Sequence, residues 1–402
     1  MVIGEWWMRR ATIHDSPVTI HKSPMHPDNL ALYNYLFAAF AFLLGACVGS
    51  FLNVCIYRMP LGLSVNKPKR SFCPMCPKDN NQIAWQHNLP LVAWLALRGR
   101  CAKCGCRIPF RYFGVELLTA ALFLAIWLQC GHAHEWLLAA PYFILASLLV
   151  TATFIDFEHF IIPDEITIGG TVAGVLFSLA IPSMMRVESH LVSAAWSLAG
   201  AAIGFAVLWG VVEAGKLAFG KKRVTLDGVQ PFAWTRKGDD AELKVGDDTM
   251  QWADIFSRES DQLLVKCSEA EVAGKRYTDT TLRFFFNRLV VGGDEYELIK
   301  LDTIVARVSE LTIPREAMGF GDVKFIAAIG AFLGWKAVLF TIMSASMTGA
   351  LFGVVTILLR RREWSAKIPF GPYLALGAML WMFAGPKLVG WYLSLMSPAA
   401  PM

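Results

Sequence analysis

The chain has 402 residues, of which 55% are hydrophobic and only 17% are charged. Soluble globular domains carry about 25% charged residues, so this composition excludes a single soluble domain. The apolar residues lie in blocks long enough to cross a bilayer, and the chain is predicted to be a polytopic membrane protein. The formal net charge of +5 is small for this length and gives no indication of nucleic-acid binding.

The chain begins with a polar segment, residues 1–30, which has no apolar core and is predicted to be a tail. A first membrane helix is predicted at residues 31–57. The uncharged stretch that contains it is longer than the roughly 20 residues that a membrane-spanning helix needs. Two cysteines within it, Cys47 and Cys55, are interpreted as ordinary packing residues.

Residues 58–111 are predicted to be a cytoplasmic loop, and they hold five of the nine cysteines. Four of these form two Cys-x-x-Cys pairs separated by 24 residues: Cys73, Cys76, Cys101 and Cys104. Each pair can offer two thiolates to one tetrahedral ion, so the four cysteines predict a structural zinc site. Four reduced thiols without a metal are the alternative. The fifth cysteine, Cys106, is interpreted as a bystander or an alternative ligand.

The second to fifth predicted membrane helices occupy residues 112–219, and the sixth to eighth occupy residues 316–402. Six uncharged stretches in these two regions have spanning length: 117–134, 136–155, 166–185, 189–212, 337–359 and 368–386. One further stretch, residues 325–335, has only 11 uncharged residues. It reaches spanning length only when flanking residues also enter the membrane.

A region of different composition, residues 220–315, separates the fifth predicted span from the sixth. It is rich in Asp and Glu, and its apolar residues alternate with polar ones as in β-strands. The adjacent glycines Gly292 and Gly293 supply the positive φ of a tight turn and predict a hairpin. The predicted fold is therefore an all-α polytopic membrane protein of about eight helices, with a cytoplasmic zinc-knuckle loop and a β-rich soluble insert.

The distribution of positive charge predicts the orientation of this fold. With eight spans, residues 58–111, 220–318 and 360–367 lie on one side and hold ten, fifteen and four Lys or Arg, whereas the other side holds six. Because Lys and Arg concentrate in cytoplasmic segments, both large loops are predicted to be cytoplasmic. If the short stretch at 325–335 did not cross the membrane, the three arginines at 360–362 would lie on the outer side. This stretch is therefore retained as a span.

Two carboxylates stand at the inner ends of predicted spans. Asp156 ends the third span, and Asp322 begins the sixth. Ionisable residues in spans are costly and mark functional sites, and the predicted orientation places both at one depth. Such a pair can divide into a proton-bearing acid and a charged base, which together activate water against an amide. On spacing alone, helix capping or a place among the lipid headgroups explains each Asp equally well.

Five motifs occur in order along the chain: residues 45–60 (GACVGSFLNVCIYRMP), 111–119 (RYFGVELLT), 155–164 (IDFEHFIIPD), 318–324 (MGFGDVK) and 368–377 (IPFGPYLALG). Together they resemble the type IV prepilin peptidases of bacteria, which are intramembrane aspartic proteases with a Gly-x-Gly-Asp motif. The resemblance extends over nearly all of the chain outside the N-terminal tail and the insert.

The resemblance implies that Asp156 and Asp322 are the catalytic pair of an enzyme. It also implies supporting roles for residues of the same motifs: Gly319, Phe320, Gly321, Asp164 and Lys324. Lys324 has two interpretations, as a positively charged residue at an inner helix end or as a group that steadies the Asp322 carboxylate. The implied substrates are type IV prepilin or pseudopilin precursors, cleaved at the cytoplasmic face of the bacterial inner membrane.

Members of this family that carry the four-cysteine loop also methylate the new N-terminus with S-adenosylmethionine, so N-methylation is an implied second activity. The loop has no Gly-rich nucleotide motif that would place the methyl donor. Glu116 matches the family as well, and either helix packing or methylation accounts for it. The implied partners are the bilayer, the precursors, and type II secretion or pilus assembly machinery.

The sequence is also compatible with other classes of protein. An ion or proton transporter would also bury carboxylates, although none of them marks the middle of a predicted span. A peptidase that lacks methylation, or an inactive relative that acts as an assembly scaffold, would share the same spans. The insert could gate the site, bind a partner or simply be tolerated.

Overall fold

The computed structural model describes residues 27–68, 70–73, 75–77, 82–132, 135–219, 221–237, 240–246, 248–252, 255–256, 261–314, 318–359 and 369–396. Most of the predicted polar tail lies outside these residues. So do the three arginines at 360–362 that supported the predicted orientation.

The membrane part of the chain consists of long apolar helices. They are α1 (Pro27–Arg58), α2 (Phe110–His132), α3 (Ala139–His159), α4 (Asp164–Ala180), α5 (His190–Phe219), α6 (Phe320–Leu333), α7 (Trp335–Leu358) and α8 (Gly371–Met396). Six helices in the described part of the chain are long and apolar enough to cross a membrane: α1, α2, α3, α5, α7 and α8. The protein is therefore a polytopic membrane protein, as predicted.

The predicted count of about eight spans is not confirmed. The two helices outside the set of six are α4, with 17 residues, and α6, with 14 residues. At 1.5 Å per residue they are about 26 Å and about 21 Å long, which is less than the roughly 30 Å of a hydrocarbon core. They correspond to the predicted spans at 166–185 and 325–335.

The short helix α6 lies at the centre of the bundle, where it packs against α4, α5, α7 and α8. Every residue from Phe325 to Phe332 is buried. A helix that is apolar on all its faces is stable in such a position, because other helices cover each face. Protein rather than lipid therefore surrounds α6.

Pairs of glycines four residues apart let the helices approach closely. A Cβ atom on Gly200 of α5 would lie 2.4 Å from the Gly330 carbonyl oxygen of α6, and one on Gly174 of α4 would lie 2.8 Å from Ala331. Each of these glycines has a second glycine one turn away, Gly204 and Gly170, which faces α6 as well. Small residues at this spacing are typical of helix contacts in membranes.

The insert between α5 and α6 is an antiparallel sheet of eight strands. They are β1 (Lys221–Lys237), β2 (Asp240–Val245), β3 (Asp248–Gln251), β4 (Leu263–Val272), β5 (Lys275–Phe284), β6 (Arg288–Val291), β7 (Asp294–Glu297) and β8 (Thr303–Pro314). The strand order is β3-β2-β1-β8-β4-β5-β6-β7. The predicted turn joins β6 to β7, with Gly292 at φ 58° and Gly293 at φ 92°. The sheet has its own core around Phe232, Trp234 and Phe284.

The first and last strands of the insert pair with each other along their length. Lys221 stands opposite Pro314, and Thr235 stands opposite Thr303. The chain consequently leaves the helical bundle and returns to it at one place. Since α6 begins six residues after β8 ends, the sheet is attached directly beside the helix that carries Asp322.

Candidate active site

Asp156 occupies the last turn of α3, which ends at His159. The residue is only 5% exposed, and its Oδ2 atom accepts a hydrogen bond of 2.9 Å from the backbone N–H of Gly371. Gly371 is the first residue of α8, where backbone N–H groups have no partner within their own helix. The start of α8 therefore holds the carboxylate that ends α3.

Asp322 lies in the first turn of α6, after Gly319 at the N-cap. Its backbone N–H donates to the Gly319 carbonyl at 3.2 Å. The residue is 7% exposed, and its Oδ1 atom is buried without a hydrogen-bond partner among the described residues. A buried polar atom without a partner is costly, so this oxygen is a candidate for contact with a substrate or a water molecule.

The two carboxylates belong to one site. They are close enough for the charge of Asp156 to act on Asp322. Ile162, between α3 and α4, contacts the chain beside both: a Cβ on Gly321 would lie 3.3 Å from its backbone nitrogen, and one on Gly371 would lie 3.0 Å from its Cδ1. Three of the five sequence motifs thus converge at one end of the bundle, as the predicted orientation requires.

The glycines of the Gly-x-Gly-Asp motif have distinct structural uses. Gly321 faces Ile162 so closely that any side chain would push against the loop between α3 and α4. Gly319 faces the other carboxylate oxygen, since its Cβ would lie 3.5 Å from Asp322 Oδ2. Between them, the Phe320 ring packs edge-on against Phe205 of α5 at 6.0 Å.

Lys324 pairs with Asp164 rather than with Asp322. Its Nζ atom lies 2.6 Å from Asp164 Oδ1 and 5.2 Å from the centre of the Phe320 ring. Among the described residues, no salt bridge joins Lys324 to Asp322. The pair instead links the first turn of α4 to the second turn of α6, and these two helices flank the loop that contacts Gly321.

We expect the variants Lys324→Met and Asp164→Asn to lower cleavage by less than about tenfold, equivalent to about 1.4 kcal/mol. The Asp164 side chain is 58% exposed, and exposed ion pairs contribute about 0.2–1 kcal/mol. The double variant should be no worse than the stronger single one, because both remove the same contact. If Asp164→Asn were as severe as Asp322→Asn, Asp164 would have to be assigned to the reaction itself.

We expect Gly371→Ala to lower cleavage by about 100-fold, the effect of misplacing a reacting group by about 1 Å. The added methyl group would lie 2.7 Å from Asp156 Oδ2 and would displace either the carboxylate or the start of α8. Gly390→Ala in the same helix is the matched control, because nothing lies within 4 Å of its Cβ position. Equal cleavage rates for the two variants would contradict this positioning role.

Two further carboxylates of the family motifs connect the loop between α1 and α2 with the helix ends. Glu158, in the last turn of α3, forms a salt bridge with Arg111 at the start of α2. Glu116 of α2 accepts a 2.7 Å hydrogen bond from the backbone N–H of Leu91. The sequence motifs contained these residues, but no local pattern indicated which partner each would find.

The cysteine loop gathers its thiols into one cluster. The Cys73 sulfur lies 3.8 Å from that of Cys104 and 3.5 Å from that of Cys106, and the Cys76 sulfur lies 3.9 Å from that of Cys101. Four sulfur atoms lie within 4.8 Å of one another and could hold a metal ion: those of Cys73, Cys101, Cys104 and Cys106. This group contains Cys106 in place of Cys76 of the predicted set.

A tight turn explains the presence of Cys106 in the cluster. Gly105 has φ 70°, and the backbone N–H of Cys101 donates to the Cys106 carbonyl at 2.9 Å. Hydrogen bonding from the Cys106 backbone lowers the pKa of the Cys104 thiol to about 6, and bonding from the Cys104 backbone lowers the pKa of Cys101. Hydrogen bonding to the Cys104 thiol raises the pKa of Cys76 and of Cys106 to about 12. The thiolate is the form that binds metals.

A helical bundle that buries two carboxylates at one end is an arrangement that suits an intramembrane peptidase. Comparison with known proteins indicates the same class. Residues 43–130 match the Bacterial Peptidase A24 N-terminal domain, and residues 143–223 and 283–354 match the Type IV leader peptidase family. The stretch between the last two segments belongs to the insert. No solved structure gives a significant match.

Curated relatives align with nearly the whole chain. The Prepilin leader peptidase/N-methyltransferase of Myxococcus xanthus is 32% identical over 378 residues, covering 93% of this chain and 80% of the relative. The protein of the same name from Aeromonas hydrophila is 28% identical over 383 residues, covering 90% and 95%. The chain belongs to the type IV leader peptidase family and is an enzyme, which confirms the resemblance predicted from its motifs.

Proposed function

We propose that this protein cleaves the leader peptide of type IV prepilin or pseudopilin precursors and then methylates the new N-terminal amine. The observation that carries the proposal is the meeting of Asp156 and Asp322 at one end of the bundle, in a member of the type IV leader peptidase family. The names of the relatives support both activities.

The environments of the two carboxylates support different roles in cleavage. A backbone N–H donor favours the charged form of a carboxylate, so Asp156, which accepts from Gly371, acts as the general base toward water. Asp322 has a buried oxygen without a partner and carries the proton. It donates a hydrogen bond to the carbonyl oxygen of the scissile bond while Asp156 takes a proton from the attacking water. As the C–N bond breaks, the proton on Asp156 passes to the nitrogen of the leaving amine, and both carboxyl groups return to their starting state.

The site suits a substrate that enters from the membrane border. Precursors of this class have a short basic leader followed by an apolar helix, and the carboxylates lie at helix ends rather than in the middle of the bundle. We place this end at the cytoplasmic face of the bacterial inner membrane, because positive charge concentrates in the loops on this side. In this arrangement α4 and α6 cross together with the six longer helices, which gives eight spans.

The predicted division of the chain follows from this arrangement. It runs from the tail (1–30) and first helix (31–57) through the cytoplasmic loop (58–111), helices two to five (112–219) and the insert (220–315) to the last three helices (316–402). The intact carboxylate pair supports an active peptidase rather than a scaffold or a transporter. Pilus assembly or type II secretion machinery would be the partner that receives the processed substrate.

The cysteine cluster fits a structural zinc ion. Zinc–sulfur bonds of about 2.3 Å in a tetrahedron place sulfur atoms about 3.8 Å apart, close to the observed 3.8 Å for Cys73 with Cys104 and 3.9 Å for Cys76 with Cys101. Cys76 also contacts the thiols of the three other knuckle cysteines. We therefore assign the ion to Cys73, Cys76, Cys101 and Cys104, with Cys106 as the alternative fourth ligand. Bound zinc would cross-link the loop.

The direct test of this function is to co-express the protein with a candidate prepilin and to read the mature N-terminus by mass spectrometry. Cleavage should remove the leader, and methylation should add the mass of one methyl group. Cleavage without the added mass would retain the peptidase and reject methylation for that substrate. Absence of cleavage for all family substrates would reject the proposal.

The role of the insert can be tested by removing it where its first and last strands pair. Thr225 of β1 stands opposite Glu310 of β8, so the residues between them can be replaced by a two-residue turn without moving the ends of α5 and α6. Loss of cleavage in this variant would identify the insert as a required part of the site. Normal cleavage would assign it to partner binding or to a dispensable addition.

A further inference from the structure

A cavity of about 470 Å³ lies between the second half of α1 and the cytoplasmic loop. Its volume is within the range of about 300–1,000 Å³ that is usual for small-molecule sites. Its lining combines cationic, polar and aromatic side chains: Ser50, Phe51, Arg58, Asn66, Arg70 and Asn88. Such a mixed lining favours a polar ligand with both charged and ring-shaped parts.

Arg58 gives the cavity wall a buried positive charge. The residue is 4% exposed, and its Nη1 atom donates to the carbonyls of Ser64, Val65 and Pro68 at 3.0–3.3 Å. Among the described residues, no carboxylate forms a salt bridge with it. Buried charges usually have a partner of opposite sign, and a guanidinium group matches a carboxylate well. Together with Arg70, Arg58 therefore suits an anionic group of a ligand.

A negative charge lies behind the opposite end of the cavity wall. Glu116 accepts hydrogen bonds from Ser50, which lines the cavity, and from the backbone N–H of Leu91. Leu91 follows Pro90, another lining residue, and has a φ of 62°, so the loop is bent toward the helix at this point. Ser50 and Arg58 are eight residues apart in α1, or about 12 Å along the helix axis.

The cavity opens on the same membrane face as the carboxylate pair. Arg58 ends α1, and α1 packs against α2 and α3. The salt bridge between Arg111 and Glu158 joins the start of α2 to the turn of α3 that follows Asp156. A ligand in this cavity would lie near the place where cleavage exposes a new N-terminal amine.

We infer that this cavity is the binding site of the methyl donor S-adenosylmethionine, an inference that rests on the proposed methylation. The two guanidinium groups match the carboxylate of the donor, and the amides of Asn66 and Asn88 match its ribose and adenine. The Phe51 ring offers an apolar face to adenine, and the Glu116 carboxylate, which lies behind the lining residue Ser50, puts negative charge on a side of the cavity that suits the positive sulfonium. The site lies between a membrane helix and a loop, so it needs no Gly-rich nucleotide motif.

The test measures binding of S-adenosylhomocysteine, the donor without its methyl group, to the purified full-length protein by calorimetry. Wild type should bind one equivalent. Arg70→Glu reverses a charge at the cavity. Cys47 of α1 also lines the cavity, and Cys47→Trp would fill it; each variant should weaken binding at least tenfold. Arg98→Glu in the same loop and Leu43→Trp, one turn earlier on the exposed face of α1, are matched controls outside the lining and should bind as wild type does.

Several results would overturn the inference. Unchanged affinity in both cavity variants would place the donor elsewhere. Arg70-dependent binding of phosphatidylglycerol vesicles, with unchanged S-adenosylhomocysteine binding, would assign the cavity to a lipid headgroup. A wild-type protein that cleaves prepilin but does not bind S-adenosylhomocysteine would reject the inference and leave the peptidase intact. One that neither cleaves nor binds would reject the proposed function itself. Unfolding temperatures of all variants identify any that fail to fold.

Discussion

Asp156→Asn and Asp322→Asn are each expected to lower prepilin cleavage by about 10²- to 10⁴-fold, the usual contribution of a general acid or base. Both carboxylates are buried in one site, and the proposed reaction needs one of them charged and the other protonated. An amide can do neither, although its size is nearly the same. The double variant should be little worse than either single variant, because the two groups act as a unit.

The measurement is the rate at which mature pilin appears, read by mass spectrometry with the purified enzyme. Glu165→Gln is the matched control, since Glu165 is an exposed carboxylate in the first turn of α4, close in sequence to the site. It should cleave at the wild-type rate. Unfolding temperatures should be unchanged or raised, because the substitutions remove a buried carboxylate. Normal processing by either Asn variant would exclude the two-aspartate mechanism.

Cys73→Ser, Cys101→Ser and Cys104→Ser are each expected to reduce bound zinc from about one ion per chain to a small fraction. Structural zinc sites contribute an apparent 10–16 kcal/mol in zinc-finger peptides, so loss of one thiolate has a large effect. The loop between α1 and α2 should then lose its compact arrangement. Elemental analysis of the purified variants and limited proteolysis of the loop measure the two effects.

The fourth ligand is decided by comparing Cys76→Ser with Cys106→Ser. The first should lose zinc, because Cys76 contacts the three other knuckle thiols, and the second should retain it. The opposite result would assign the fourth position to Cys106, which belongs to the tightest group of sulfur atoms. Cys47→Ser, on the exposed part of α1, is the control. Zinc content that is the same in all five cluster variants would reject the metal site.

Local patterns in the sequence predicted most of the elements. Apolar runs of spanning length predicted the six long helices, and adjacent glycines predicted the turn between β6 and β7. The glycine pairs of α4 and α5 were also visible in the sequence, and their spacing could have predicted the tight contacts with α6. The sequence also indicated that α6 is short, since only 11 uncharged residues lie between Lys324 and Lys336, but it did not indicate that other helices rather than lipid cover this helix.

The sequence by itself determined that this is a membrane protein with a cluster of cysteines in one loop. It also contained the Gly-x-Gly-Asp motif of the type IV leader peptidase family. These properties depend on composition and on residues close together in the chain. Only the tertiary structure decided that Gly371 holds Asp156, 215 positions away, and that Lys324 pairs with Asp164, 160 positions away. Only the tertiary structure shows the cavity beside Arg58 as well, since it lies between α1 and residues of the following loop. Such contacts arise from the packing of separate helices, and no local pattern specifies which residues that packing brings together.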